Sequence, residues 1–285
     1  MNSLFPKFKI KNGLGIIHLK SWKEIDELFK SGLFYGQTHI YRGQADYEWK
    51  LIPSIYRIEP KPSQEEVKEY LTFFKKSSLG RRGQNSRSYN NDDKWWALGR
   101  HFGLKTPILD WTASPYIALF FAFAESNDSE RRTIYALDKV IISTAAALHG
   151  RELDTSNIWV NEDFIDPNDE QWKSILNSAN KFKSLPIEEK INIIEPNLEE
   201  SYRMISQKGL FTRGPERISI EDWVNDSFIG FNEIPVLYKI MLPNMNRNAC
   251  LMYLNMMNIN YLSLFPDLYG AAMHCNLSLE IPDYF

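Results

Sequence analysis

Two short segments of the sequence hold the side chains best suited to chemistry. The first is Tyr41-Arg42-Gly43-Gln44, in which an arginine interrupts an apolar run and is followed by glycine. An arginine in such a run needs a partner, because burying an unpaired charge is costly. Its guanidinium can bind phosphate or ribose while Gly43 allows a close backbone approach, or it can pair with a buried carboxylate such as Asp110 or with carbonyls at a strand end. The segment alone leaves both interpretations open.

The second segment, residues 99–115, surrounds one predicted strand-to-helix turn with chemically useful side chains: His101, Asp110, Trp111, Thr112 and Ser114. A role as helix cap would explain Asp110 or Ser114 taken singly. Capping does not account for Trp111 and His101 beside them. We therefore also predict that this turn forms the lip of a pocket.

Several familiar chemistries lack their sequence patterns. No GxGxxG opens a predicted helix and no GxxxxGK[ST] is present, so a dinucleotide-binding fold or a P-loop is not supported. No GxSxG elbow occurs. The 5 histidines form no HExxH pair, and the 2 cysteines are too few for a cysteine-rich zinc site. We expect no metal.

Composition and charge describe an ordinary globular chain. Its 285 residues carry 33 Lys+Arg against 36 Asp+Glu, a net charge of −3, which does not suggest a duplex-DNA binder. The basic stretch 80–93 contains Arg81, Arg82 and Arg87, and is interpreted as a solvated loop or, alternatively, as a set of phosphate contacts. We find no leader segment and no run of the roughly 20 apolar residues that a bilayer requires, so we expect a cytoplasmic protein without membrane contact.

Local patterns predict short strands and helices that do not alternate strictly, which favours an α+β fold. Ser63 with Glu66 forms a capping box, and Ser114-Pro115 begins another helix. The remaining predicted strands and helices are strands at 38–43, 106–110, 132–136, 140–143, 191–195 and 233–242, and helices at 94–102, 197–207 and 246–258. We expect an irregular insertion near 150–185.

Four blocks of the chain resemble the FRG domain family. Tyr41-Arg42-Gly43 is similar to the motif that names it, and residues 98–124 are similar to its longest signature. Residues 203–211 and 264–270 resemble its third and last blocks. The chain departs from the family pattern at Pro107, at Arg100 and at Tyr269, where we expect Arg, Gln and Asp. If the missing arginine held a phosphate, Arg100 or Lys105 is the candidate replacement.

This resemblance implies a single domain at 36–280, preceded by a strand and helix extension at 1–35. The order of the blocks resembles the ADP-ribosyltransferase plan, offered as an analogy of fold. The analogy implies a split, mostly antiparallel sheet flanked by helices, with a nucleotide pocket between the first two blocks.

The same analogy implies roles for individual residues in binding and cleaving NAD. Arg42, Gly43, Gln44, His101, Asp110 and Trp111 would line the NAD site, with Arg42 on the ribose or phosphate and Trp111 stacking. Thr112 and Ser114 would brace the pocket, and Gln207 would take the third-block catalytic position. A neutral Gln207 cannot act as a general base, so Glu125, Glu195 and Glu200 are rival candidates.

Three functions follow as expectations. The first is an NAD-dependent ADP-ribosyltransferase that modifies a nucleic acid or a protein, as a bacterial toxin or an anti-phage effector. The second is a non-catalytic module that binds nucleic acid or a nucleotide signal through Arg42, the basic stretch 80–93 and the Trp95-Trp96 pair. In the third, the blocks are purely structural and Arg42 is paired with Asp110.

Overall fold

The computed structural model describes residues 8–34, 38–81, 89–148, 190–195, 202–232 and 234–284. Its eight strands are β1 (Lys9–Lys11), β2 (Leu14–His18), β3 (His39–Gln44), β4 (Ile108–Thr112), β5 (Arg131–Asp138), β6 (Asn192–Ile194), β7 (Gly209–Arg213) and β8 (Leu237–Pro243). The helices are α1 (Ile25–Lys30), α2 (Gln64–Ser77), α3 (Asp92–His101), α4 (Pro115–Ala124), α5 (Lys139–Leu148), α6 (Tyr202–Ser206), α7 (Ile220–Ser227), α8 (Arg247–Met256), α9 (Tyr261–Leu264) and α10 (Leu268–Glu280). Short 3₁₀ turns occur at Trp22–Glu24 and Ser54–Arg57.

The described strands form one eight-stranded sheet in the order β1-β2-β8-β5-β3-β4-β7-β6. Only β2 and β8 run parallel within it, and the other neighbours are antiparallel. The predicted α+β fold with a mostly antiparallel sheet is therefore confirmed. No helix in the described part of the chain is long and apolar enough to cross a membrane.

One pair of neighbours, β3 and β4, is joined far more weakly than the others. They share the single register pair Tyr41–Thr112, whereas β4 and β7 share five pairs and β3 and β5 share six. The two strands therefore separate as they leave Tyr41. This gap lies between the first and second motif blocks.

Helix α4 is the central helix of the larger core. Its N-cap is Ser114, whose hydroxyl accepts a hydrogen bond from the Ile117 amide, and Pro115 occupies the first helical position. Seven of its ten residues are buried, as expected of a helix that is apolar on all sides. It packs across β3, which fixes the position of the first motif block.

The predicted strand at 140–143 is wrong, because these residues begin helix α5. The carboxylate of Asp138 caps the start of this helix. Its Oδ1 atom accepts hydrogen bonds from the amides of Val140 and Ile141, at 2.9 Å each. This cap turns the chain immediately after β5. The β-branched residues of the segment favoured a strand, and the cap overrides that local preference.

The N-terminal strands belong to the same sheet as the rest of the chain. β2 pairs with β8 over five residues, and Ile17 is buried in the larger core. The division into an extension at 1–35 and a domain at 36–280 stays a prediction. The predicted insertion near 150–185 lies outside the described residues.

Candidate functional site: an arginine cluster at the gap in the sheet

Asp110 on β4 is held by two arginines. Arg42 Nη1 donates to the Asp110 carbonyl oxygen at 2.7 Å and lies 3.4 Å from the carboxylate. Arg100, at the end of α3, donates from Nε to Asp110 Oδ2 at 2.9 Å, and its Nη2 atom lies 2.8 Å from the same oxygen. The pairing of Arg42 with Asp110, one of the interpretations left open by the sequence, is therefore present.

The Arg42 guanidinium lies where β3 and β4 separate. In a complete ladder the Asp110 carbonyl would face a backbone amide of the neighbouring strand. Here the side chain of Arg42 supplies the donor instead, so it takes part in the structure of the sheet. Its Nε atom is buried and has no hydrogen-bond partner among the described residues.

A third arginine, Arg57, comes from the 3₁₀ turn Ser54–Arg57. Its Nε donates to the Ile52 carbonyl at 2.9 Å, and the side chain is exposed. Partial desolvation of the guanidinium lowers the pKa of Arg57, as does the nearby charge of Arg100. Arg42, Arg57, Arg100 and Asp110 are called the arginine cluster below.

The pKa values within the arginine cluster show an excess of positive charge. Burial lowers the pKa of Arg42, and the charges of Arg100 and Arg57 lower it further, while Asp110 opposes them. The Asp110 charge raises the pKa of Arg100. Burial acts to raise the pKa of Asp110, but the two arginines more than compensate and lower it. Two guanidinium groups thus contact the Asp110 carboxylate, and the charge of a third, Arg57, acts on the same group of residues. An anion placed here would relieve the repulsion among the three cations.

This cluster is accessible from solvent. The side chain of Arg42 is 16% exposed, that of Arg100 33% and that of Asp110 39%. Arg57 is exposed as well. A charged ligand can therefore reach Arg57 and Arg100 directly, with Arg42 behind them.

Gly43 and Gln44, which the resemblance assigns to NAD, are both within the fold. A Cβ atom at Gly43 would overlap the Ala118 carbonyl oxygen and lie 2.6 Å from the Ala122 amide nitrogen. The close approach at Gly43 in this structure is thus made by α4. Gln44 is 4% exposed, and its Oε1 has no hydrogen-bond partner among the described residues. Their assignment to a ligand stays a prediction.

Trp111 lies on the other side of β4 from Asp110. It is 3% exposed, packs in a core with Leu109 and Trp223, and donates from Nε1 to Thr212 Oγ1 at 2.9 Å. Packing in this core and one hydrogen bond are therefore enough to explain why a tryptophan is present at position 111. The stacking role stays a prediction that the placement does not favour.

Thr112 and Gln207, two predicted catalytic residues, are brought together by a hydrogen bond. Thr112 Oγ1 donates to the Gln207 carbonyl at 2.7 Å and accepts from the Ser114 amide at 3.1 Å. The Gln207 side-chain amide donates to the Leu264 carbonyl at 3.1 Å. These contacts join the second, third and last blocks, and they engage the Thr112 hydroxyl and the Gln207 side-chain nitrogen, two of the groups that were predicted to act on a ligand.

His101 lies in a second group with residues of the last two blocks. The Arg203 guanidinium lies 4.3 Å from the ring centroid of Phe265 and 5.3 Å from that of Tyr269. Arg203 Nη2 is 4.0 Å from Asp267 Oδ2. Burial lowers the pKa of His101, and the charge of Arg203 lowers it further. His101, Arg203, Phe265, Asp267 and Tyr269 are called the Arg203 cluster below.

The rival acids lie outside these contacts. Glu125 and Glu195 are exposed at the ends of α4 and β6. Glu200 is outside the described residues, as are Arg82 and Arg87. Within the described part of the chain, no group of three or more His, Cys, Asp and Glu could hold a metal ion.

Sequence reasoning did not single out Arg57 or the packing of Arg203 between two rings. Arg57 follows a stretch without periodicity, and nothing local indicates that its turn faces Asp110. The signal for Arg203 was the third block itself, which was quoted for Gln207. Arg203 reaches its partners across more than 60 residues, and Arg57 comes near Arg42 and Arg100 through the fold, which local patterns do not encode.

Residues 37–131 match the family model of the FRG domain. This confirms the resemblance over a stretch that contains all four members of the arginine cluster. The Arg203 cluster, apart from His101, lies beyond the matched stretch. No curated protein and no solved structure matches the chain.

Proposed function

We propose that this FRG domain chain binds a nucleotide through its phosphates at the arginine cluster, and that the nucleotide is NAD, from which it transfers ADP-ribose to a macromolecular acceptor. The observation that carries the binding half is the imbalance of charge around Asp110. Arg42 and Arg100 share the Asp110 carboxylate, and the charge of Arg57 acts on both arginines without a contact to that carboxylate. Arg57 and Arg100 are accessible to a ligand. Guanidinium groups bind phosphate oxygens in paired, short hydrogen bonds.

In this proposal each member of the arginine cluster has a separate task. Arg57 and Arg100 contact the diphosphate, because they are the more exposed arginines. Arg42 adds positive charge from behind and holds the Asp110 carbonyl. Asp110 orients the Arg100 guanidinium through two hydrogen bonds from Nε, at 2.9 and 3.1 Å.

The transfer half is supported by the resemblance of the block order to ADP-ribosyltransferases. In that reaction the bond between ribose C1′ and the nicotinamide nitrogen breaks, and nicotinamide leaves as a neutral molecule. The ribose carbon bonds to a nucleophilic atom of the acceptor, which loses a proton. Bound phosphates would fix the ribose in position for this displacement, which lowers its entropic cost.

A second candidate is a module that binds a nucleotide signal without cleaving it. The contacts of the predicted catalytic residues favour it, because the Gln207 amide and the Thr112 hydroxyl both donate to backbone carbonyls. Stacking of nucleic acid on the Trp95-Trp96 pair is not part of this candidate, because Trp96 is 1% exposed and belongs to a core.

Calorimetric titration with NAD and with inorganic pyrophosphate, together with chromatography for released nicotinamide, tests both candidates. The informative variant is Arg57→Ala, since Arg57 is exposed and its loss leaves the Arg42–Asp110–Arg100 contacts in place. We expect its affinity for both ligands to fall at least about ten-fold, because a hydrogen bond to a charged group contributes about 1.5–3 kcal/mol. Arg81→Ala is the comparison variant: Arg81 is another exposed arginine bound to a carbonyl, that of Ser77. Because Arg81 also belongs to the basic stretch 80–93, a loss of affinity in Arg81→Ala instead of Arg57→Ala would assign the phosphates to that stretch and reject the arginine cluster.

The outcomes separate the two candidates. Nicotinamide release that falls in Arg57→Ala and persists in Arg81→Ala supports transfer. Binding that is sensitive to Arg57→Ala, with no release when mixed nucleic-acid and protein acceptors are supplied, supports the signal-binding module. If neither pyrophosphate nor NAD binds the parent chain, both candidates are rejected.

A further inference from the structure

We infer that Tyr269, backed by Arg203, forms the surface on which the heteroaromatic ring of the bound nucleotide stacks. The inference rests on the proposed function, since it assigns a second part of the same ligand. It places the phosphates at the arginine cluster and a ring at the Arg203 cluster.

First, two aromatic rings lie against the guanidinium of Arg203. Its guanidinium lies over Phe265 and Tyr269, and the two ring centroids are 5.3 Å apart. The nearby Asp267 carboxylate balances the charge of Arg203 and also caps helix α10, with Oδ1 accepting from the Gly270 amide at 3.1 Å. Tyr269 thus lies in the first turn of a capped helix, with a cation against its ring.

The second step is the exposure of Tyr269. This residue is 51% exposed, while Phe265 is only partly exposed and packs against the larger core. An aromatic side chain that is fixed by a cation and still half exposed can accept a planar ring without rearrangement. Of the two rings that contact Arg203, Tyr269 is therefore the one open to a ligand.

The third step is the proximity of the two clusters. Arg100 belongs to the arginine cluster and the next residue, His101, to the Arg203 cluster, and consecutive Cα atoms are about 3.8 Å apart. His101 is close enough to Arg203 and Asp267 for their charges to act on its pKa.

Hydrogen bonds also connect the two clusters. Thr112, on the same strand as Asp110, donates to the Gln207 carbonyl at 2.7 Å. The Gln207 amide donates at 3.1 Å to the carbonyl of Leu264, the residue before Phe265. A ligand that binds at Arg100 therefore has the Arg203 cluster beside it.

The chemistry of the two clusters is complementary to the two parts of a nucleotide. Phosphates need the unbalanced cations around Asp110. The base or nicotinamide needs a flat apolar surface, and stacking on an aromatic side chain is worth about 1–3 kcal/mol per base. A guanidinium behind the tyrosine ring adds a cation–π contact to the platform.

Three probes separate these two parts in calorimetric titrations: inorganic pyrophosphate, which has no ring, ADP, which has adenine, and nicotinamide mononucleotide, which has nicotinamide. For Tyr269→Ala we expect affinity for at least one ring-bearing probe to fall about five- to ten-fold, and affinity for pyrophosphate to stay unchanged. Tyr269→Phe keeps the ring and should retain parental affinity. Phe73→Ala is the matched control, because Phe73 is an aromatic residue 70% exposed on α2.

The probe that loses affinity identifies which ring stacks. Equal losses for pyrophosphate and the ring-bearing probes would show that Tyr269 acts only through structure, and unchanged affinity for all three would show that no ring stacks there; either result overturns the inference and leaves the proposed function standing. If the parent chain binds none of the probes, the proposed function fails together with the inference. Thermal melting of Tyr269→Ala, compared with Tyr269→Phe, checks that each variant is folded.

Discussion

Arg42 has a structural task and a proposed binding task, and the two act through different atoms. Its Nη1 atom donates to the Asp110 carbonyl, beyond the single register pair Tyr41–Thr112 that joins β3 to β4. Its charge adds to the cationic environment that Arg57 and Arg100 present to a ligand. Sequence reasoning reached the pairing with Asp110 but could not decide between these tasks, because the decision depends on where β3 and β4 separate.

Replacing Arg42 with alanine should lower the free energy of unfolding by about 1–3 kcal/mol, because the Asp110 carbonyl is left without its donor. The loss should stay below that for an isolated buried charge, since Arg100 still pairs with the Asp110 carboxylate. Urea unfolding followed by tryptophan fluorescence measures the change. Arg57→Ala serves as the control and should unfold as the parent does; a fully stable Arg42→Ala would show that the sheet does not need this donor.

The helices and strands that sequence patterns predicted best are those with a chemical signal at their ends. The Ser63–Glu66 capping box and the Ser114 cap are both present, because a hydroxyl followed by the right spacing fixes the start of a helix on its own. Helix α5 was missed because its cap, Asp138, is also the last residue of a strand. The pattern of apolar residues alone could not show whether the chain after Asp138 continues as a strand or begins a helix.

The contact between α4 and β3 predicts a severe effect for Gly43→Ala. The new Cβ would overlap the Ala118 carbonyl, and because the obstructing atoms are helix backbone they cannot move aside locally. We expect a loss of about 3 kcal/mol or more in the free energy of unfolding, at the upper end of overpacking effects.

Gly80→Ala is a suitable control for this prediction, because Gly80 has a φ of +72° and nothing within 4 Å of an added Cβ. The left-handed conformation alone should cost it about 1–2 kcal/mol. Thermal melting of the two variants side by side measures the difference. A Gly43→Ala protein as stable as Gly80→Ala would mean that α4 can shift away from β3.

At the scale of the whole molecule, the order of the strands brings together residues that are far apart in sequence. β2 lies beside β8, and β4 lies between β3 and β7. The class of the fold could be predicted from the mixture of helices and strands. The order could not, because strand pairing depends on contacts between distant segments and each segment carries only its own periodicity.

Neighbouring isoleucines on β2 test whether the N-terminal strands are part of the stable core. Ile17 is 1% exposed and Ile16 is 38% exposed. Ile17→Asn should cost about 3 kcal/mol or more, because it removes buried apolar surface and buries an unpaired amide. Ile16→Asn, on the opposite face of the strand, should change stability by less than about 0.5 kcal/mol.

Chemical denaturation of both variants provides the measurement, with size-exclusion chromatography to detect association. Loosening β2 would expose the edge of β8, and unpaired strand edges promote aggregation. Equal stability of the two variants would instead support residues 1–35 as a separable extension.

The arginine that bridges the gap in the sheet also affects what the Tyr-Arg-Gly motif can tell about a distant relative. A chain that had lost its ligand would still need this arginine to join β3 to β4, so selection for foldability alone would keep the motif. Its presence would then indicate only that the fold is inherited. Positions that the fold does not require, such as Arg57, would indicate whether the activity is retained.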